Sequence, residues 1–168
     1  MSNYHNITTD DMKNGEGLRV VLWMSGCNHH CKGCHNKVTW DPNDGLPIDD
    51  SVFGEIIDKL GYDHISGLTL SGGDPFHPDN IETTRLLSVL KLSHNNKTLW
   101  IYTGYLWEDI IKDPKIRCIL QWVDVIVDGE YMEELADVHY KWAGSTNQRV
   151  IDVQKSLKEG QVILYESN

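Results

Sequence analysis

The chain has 168 residues, of which 40% are hydrophobic and 24% are charged, so its size and composition suit one folded domain and exclude wholesale disorder. Its 25 acidic residues exceed its 15 Lys and Arg residues, and the resulting net charge of −10 disfavours nucleic acids and anionic membranes as partners. The sequence has neither a signal peptide nor an 18-residue apolar run, so we expect a single domain over residues 1–168 in the cytoplasm, with no membrane partner.

Short apolar runs that are typical of buried strands alternate with helical patterns along the chain. The predicted strands are Leu18–Met24, Gly67–Leu70, Thr98–Thr103, Val123–Val127, Arg149–Val153 and Val162–Tyr165. The predicted helices are Asp49–Leu60, a helix that opens at Asp79 and carries Leu86, Leu87 and Leu90 inward, and Trp107–Trp122, which Pro114 divides in two. This alternation predicts right-handed βαβ units in an α/β sheet or an open, partial barrel.

Three of the four cysteines lie close together in the loop after the first predicted strand. Cys27, Cys31 and Cys34 have the spacing C-x3-C-x2-C, which suits metal ligation in a reducing compartment better than disulfides. The pattern fits a zinc ion with a fourth ligand, or an iron-sulfur cluster with one iron left open. The candidate fourth ligands are His29, His30 and His35. Cys118 lies in an apolar helical stretch and is predicted to be a small core residue.

Polar or glycine-rich segments follow the next three strands, and in α/β folds such segments meet at the carboxyl ends of the strands. Gly72 and Gly73 permit close backbone approach, and Asp74 adds a carboxylate that suits an ammonium ligand. Thr103 and Asp128, after the third and fourth strands, are weaker candidates because ordinary strand-end turns explain them equally well.

The CNHHCKGC loop followed by SGGDP resembles the radical S-adenosylmethionine (SAM) superfamily. The further segments HN, TGY, DGEY and GSTNQR resemble the activating proteins of the anaerobic (class III) ribonucleoside-triphosphate reductase, over roughly residues 14–157. The resemblance implies a partial, open (βα) barrel of the radical SAM type with about five to six mostly parallel strands. Gly33 stands where the superfamily usually has an aromatic residue, which leaves His35 as the candidate surface against adenine.

The resemblance also implies the cofactors and the partners. One 4Fe-4S cluster would be held by Cys27, Cys31 and Cys34, and its open iron would bind SAM. Reductive cleavage of SAM would give a 5′-deoxyadenosyl radical, which takes a hydrogen atom from a glycine in the glycyl radical loop of the reductase large subunit. The electron would come from a donor such as reduced flavodoxin, and no catalytic side chain is needed because the cofactors carry the chemistry. The cofactor-binding candidates are Gly33, Cys34, His35, Asn36, Gly72, Gly73, Asp74, Thr103 and Asp128.

Two other functions fit the same residues. The chain could activate a different glycyl-radical enzyme, or it could be a zinc-stabilised protein-interaction domain built on the three cysteines and His35. The GSTNQR segment is hypothesised to shape or dock the partner, although a turn leading into a strand explains it as well.

Overall fold

The computed structural model describes residues 2–167, and within them seven strands form one open sheet. The strands are β1 (Asn3–Asp11), β2 (Arg19–Met24), β3 (Leu46–Pro47), β4 (Gly67–Gly72), β5 (Thr98–Tyr102), β6 (Val125–Asp128) and β7 (Arg149–Asp152). The helices are α1 (Asp50–Leu60), α2 (Ile81–Val89), α3 (Trp107–Ile110), α4 (Pro114–Arg117) and α5 (Val153–Glu159). The strand order across the sheet is β3-β1-β2-β4-β5-β6-β7.

The sheet is mixed, which corrects the prediction of a partial barrel with mostly parallel strands. The central strands β2, β4, β5 and β6 are parallel to one another, as the apolar runs indicated. The outer pairings, β1 with β2, β1 with β3 and β6 with β7, are antiparallel. Three of the six pairings in the described chain are therefore antiparallel, and the seven-stranded sheet ends at two separate edges, β3 and β7.

The incorrect prediction has two physical causes, one at each end of the chain. β1 has the polar sequence NYHNITTDD and is partly exposed along its length, so it lacks the apolar run that marks a buried strand. β7 follows β6 after residues 129–148, whose only regular element is the short 3-10 turn Glu133–Leu135. A parallel return usually runs through a crossover helix, which this segment lacks, and β7 pairs antiparallel with β6. The predicted strand Val162–Tyr165 provides only an isolated bridge, between Leu164 and Ile151.

The helices form largely where the sequence predicts them. Asp49 caps α1 by accepting a hydrogen bond from the Val52 amide, and Asp113 caps α4 in the same way, with Pro114 in its first turn. α2 begins after Asn80 rather than at Asp79, and its Leu86 is exposed although it was predicted to point inward.

The core lies on both faces of the sheet, because successive strand residues point to opposite sides. The larger cluster contains Leu22, Leu70 and Ile101 together with apolar residues of the helices. The smaller cluster, on the other face, is centred on Trp100. It is covered by Trp142 and by Tyr165, which lies near the C-terminus. No helix within residues 2–167 is both long and apolar enough to cross a membrane.

Candidate functional site

The candidate site is a pocket of about 140 Å³, partly open to solvent, at the carboxyl ends of the four parallel strands. The loops that follow β2, β4, β5 and β6 all contribute to its wall, as predicted from their positions after strands. Eight of the residues proposed from sequence line it. They are Cys27, Cys31, Cys34, Asn36, Gly72, Gly73, Asp74 and Thr103.

The cysteine loop is held in place by backbone hydrogen bonds at its beginning. The Gly26 amide donates to the Thr39 carbonyl at 2.7 Å, and the Cys27 amide donates to the Trp40 carbonyl at 3.0 Å. Within the loop, the Cys34 amide donates to the Cys31 carbonyl at 3.1 Å. The loop therefore closes on itself, and all three of its partly buried cysteines line the pocket.

Burial changes the ionisation of two of these thiols. Desolvation raises the pKa of Cys27 to about 11, and it also raises the pKa of Cys31. Metal ligation requires the thiolate form, so the binding of iron at these cysteines would displace their protons.

The donor set fits an iron-sulfur cluster better than it fits a single ion. No group of three or more His, Cys, Asp or Glu side chains within residues 2–167 is arranged to hold one metal ion. Of the proposed fourth ligands of a zinc site, His35 lies outside the pocket lining, with its ring 5.4 Å from that of Tyr131. His29 lines the pocket, but both of its ring nitrogens contact carboxylates, those of Asp74 and Glu130. Three cysteines without a fourth protein ligand suit a cluster that leaves one iron open.

Two glycines allow the segment after β4 to pack directly against the cysteine loop. Gly72 has φ +97°, and a Cβ atom there would lie 2.6 Å from the Met24 nitrogen. A Cβ atom on Gly73 would lie 2.5 Å from the Gly26 carbonyl oxygen. The Gly73 and Asp74 amides donate to the carbonyls of Met24 and Gly26, at 2.8 and 2.7 Å. Larger residues would separate the two loops.

Asp74 is buried, and its carboxylate is fully engaged by the protein. Oδ1 accepts a hydrogen bond from the Phe76 amide at 2.9 Å. Oδ2 accepts from Thr103 Oγ1 at 3.0 Å and from the Gly104 amide at 2.9 Å, and it lies 2.7 Å from His29 Nε2. With 1% of its side chain exposed, Asp74 joins protein segments and leaves little surface for a ligand ammonium group.

His29 is the main pocket residue that the sequence did not single out, beyond its inclusion among possible zinc ligands. Its Nδ1 lies 3.0 Å from Glu130 Oε1, so the ring bridges two carboxylates. The hydrogen bond to Asp74 is the largest cause that raises the pKa of His29, and burial partly opposes it. The pocket also includes Tyr102, at the end of a predicted strand, which was not proposed as a site residue, and Gln148, which belongs to the GSTNQR segment.

Three sequence-predicted residues lie outside the pocket lining. Gly33 packs beside Glu133, His35 packs near Tyr131, and Asp128 is wholly buried beneath the pocket. Asp128 accepts a hydrogen bond from the Trp107 amide at 2.9 Å and pairs with Arg149 at 2.6 Å, so its carboxylate is engaged by the protein. Cys118, predicted to be in the core, is exposed at the end of α4 and far from the pocket lining.

The GSTNQR segment closes one side of the pocket. Gln148 Oε1 accepts hydrogen bonds from the Gly144 and Ser145 amides, and its Nε2 donates to the Gly129 carbonyl at 3.0 Å. Asn147 donates to the Glu130 carbonyl at 2.8 Å. These bonds fix the Gly129–Glu130 turn, which lines the pocket.

Comparison with known proteins gives consistent results. A family model described as a 4Fe-4S single cluster domain matches residues 13–151. The chain is 41% identical over 149 residues to a protein of Haemophilus influenzae, covering 87% of this chain and 95% of the relative. It is 42% identical to a protein of Enterobacteria phage T4, covering 88% and 92%, and 36% identical to one of Escherichia coli K12, covering 88% and 97%. All three relatives carry the name anaerobic ribonucleoside-triphosphate reductase-activating protein.

Proposed function

Because this chain belongs to the anaerobic ribonucleoside-triphosphate reductase-activating proteins and has a 4Fe-4S single cluster domain, we propose that it activates the reductase by reductive cleavage of SAM. The proposed product is a glycyl radical on the large subunit of the reductase. The activating enzyme would act on a protein partner, with a donor such as reduced flavodoxin supplying the electron.

The observation that carries this proposal is the meeting of two segments in one pocket. The thiols of Cys27, Cys31 and Cys34 and the backbone of Gly72 and Gly73 line the same cavity, although the segments are far apart in the chain. We assign the three thiols as cluster ligands, which leaves one iron without a protein ligand.

The residues of the chain have binding and orienting roles in this proposal. The cluster and SAM would supply one-electron cleavage of the sulfonium, which yields a carbon-centred radical for hydrogen abstraction from the target glycine. Gly72 and Gly73 would hold SAM by their backbone, and Asn36 and Thr103 line the same wall. Asp74 supports that wall through its buried hydrogen bonds. The pocket walls would limit the access of water to the reacting atoms.

Anaerobic reconstitution with iron and sulfide tests the cofactor assignment. We expect about four irons per chain and an EPR signal of the reduced cluster that changes when SAM is added. Incubation with the reductase large subunit, SAM and a reductant should then produce a glycyl radical doublet on the reductase, and reactions without SAM are the control.

Three results would contradict the proposal. A colourless protein with one zinc per chain would support the interaction-domain alternative instead. A cluster whose EPR signal does not respond to SAM would exclude the SAM assignment. A glycyl doublet that forms only on a different glycyl-radical enzyme would exclude the reductase as the target.

A further inference from the structure

The imidazole of His29 lies where four loops of the pocket meet. It belongs to the cysteine loop, and its Nε2 contacts Asp74 of the segment after β4 at 2.7 Å. Its Nδ1 contacts Glu130 of the segment after β6 at 3.0 Å. Its ring meets that of Tyr105, after β5, edge to face, with centroids 4.6 Å apart. His29 therefore joins the cysteine loop to all three other loops.

The surrounding protein is shaped to receive this ring. A Cβ atom on Gly104 would lie 2.5 Å from His29 Cδ2, so a side chain at position 104 would displace the imidazole. About a tenth of the His29 side chain is exposed. The ring is therefore enclosed, and its neighbours allow little choice of rotamer.

The enclosed ring of His29 contributes to the hydrogen bonding of the Asp74 carboxylate. The same carboxylate oxygen that contacts His29 also accepts hydrogen bonds from Thr103 and from the Gly104 amide. The other oxygen accepts from the Phe76 amide. His29 thus completes the hydrogen bonding of a buried carboxylate, and a buried carboxylate that loses a donor is destabilised.

We propose that His29 is a positioning residue that locks the cysteine loop to Asp74 and so fixes the distance between the cluster thiols and the Gly72–Gly73 backbone. The ring connects Cys27 and Cys31, which flank it two residues away on either side, to the segment that would hold SAM. This inference rests on the proposed function only for its link to SAM. The locking of the loops is a property of the chain itself.

The first test uses the cluster-free protein and does not depend on the cofactors. In His29→Ala, hydrogen exchange at the Gly104 and Phe76 amides, both bound to Asp74, should be faster by about tenfold or more. His30→Ala is the matched control, because His30 belongs to the same loop but is exposed. Its ring stacks on that of Trp40, with centroids 4.3 Å apart, rather than on Asp74. In His30→Ala the exchange of these amides should be unchanged.

The second test uses the cluster-loaded protein. His29→Ala should retain iron but need about tenfold more SAM to change the EPR signal of the reduced cluster. His29→Gln, which keeps an N–H donor near Asp74, should recover most of the SAM response, whereas loss through general misfolding would not be rescued by this variant.

The two tests separate the inference from the proposed function. If exchange at Gly104 is the same in His29→Ala as in the wild type, His29 does not lock the loops and the inference is wrong. Equal SAM responses of His29→Ala and the wild type would also overturn it. If the wild type itself shows no response to SAM, the proposed function fails, and the exchange experiment still decides whether the loops are locked.

Discussion

Some polar side chains of this protein line the pocket, whereas others are buried and bind only other groups of the protein. Asp128 is a clear case of the second kind, because its wholly buried carboxylate pairs with Arg149 and accepts from the Trp107 amide. Arg149 also binds Glu108 at 2.9 Å, so one guanidinium joins β6, β7 and the start of α3. The sequence placed Asp128 at the end of a strand, and the three-dimensional structure identifies the groups that its carboxylate contacts.

Removal of the Arg149 guanidinium should destabilise the fold. Arg149→Leu leaves the buried Asp128 charge without its cation, and we expect the free energy of unfolding to fall by about 3 kcal/mol. Urea denaturation measures this change. Arg85→Leu is the control, because it breaks only an exposed pair with Glu82 and should lower the free energy of unfolding far less. Equal losses in the two variants would show that the burial of Asp128 does not decide the effect.

The cysteines should differ sharply in their effect on the cluster. Cys27→Ala removes a thiol from the pocket wall, so reconstituted protein should lose most of its iron and sulfide. Cys118→Ala changes an exposed thiol that contacts the Lys115 carbonyl, and it should keep a full cluster. Iron and sulfide analysis measures both variants. Cluster loss in Cys118→Ala would mean that the assigned ligand set is wrong.

At the scale of elements, the helices and strands are stabilised by features that act locally. α1 is amphipathic, with Val52, Ile56 and Leu60 buried, and it is capped by Asp49. Asp49→Ala leaves the Val52 amide without its side-chain acceptor and should lower the free energy of unfolding. Asp58→Ala, at an exposed position of the same helix, should cost much less. Thermal denaturation of the two variants provides the comparison, and a loss at Asp58 equal to that at Asp49 would argue against capping.

The elements that sequence reasoning identified are those with strong local patterns. β2, β4, β5 and β6 are buried on both faces, and their apolar runs are visible in the chain. β1 has a polar sequence and acquires its pairing from β2, which no local pattern encodes. In the site, the cysteine spacing and SGGDP were sufficient to predict which loops would meet. The contacts of His29 with Asp74 and Glu130 join residues 45 and 101 positions apart, and such pairings cannot be deduced from spacing.

At the scale of the whole molecule, the pocket is built by the sheet and by hydrogen bonds between loops. The cysteine loop is bound to the segment after β4 by the amides of Gly73 and Asp74, and Asn80 donates to the Ser25 carbonyl at 2.8 Å. None of these bonds involves a cysteine side chain. The polypeptide alone therefore holds the loops around the candidate cluster site together.

Removal of the cluster should leave the fold intact. We expect chelation of the iron to leave the far-ultraviolet circular dichroism nearly unchanged and to lower the melting temperature, because a ligand that binds only the folded state stabilises it. Small zinc modules behave differently and unfold when the metal is lost. A collapse of the circular dichroism on chelation, as strong as in guanidinium chloride, would show that the cluster is needed to hold the sheet together.

The antiparallel return from β6 to β7 has one further consequence. Asp128 and Arg149 are paired neighbours in the sheet, so residues 129–148 leave and re-enter the fold at the same point. A loop whose ends are already joined can vary in length at little entropic cost and without a shift in strand register. Trp142 lies within this segment and packs on Trp100, so a change that keeps Trp142 leaves the core covered. Chimeras that swap the rest of the segment between relatives can therefore alter the wall that contains Glu130 and Gln148 while the four parallel strands and the cysteine loop remain as they are.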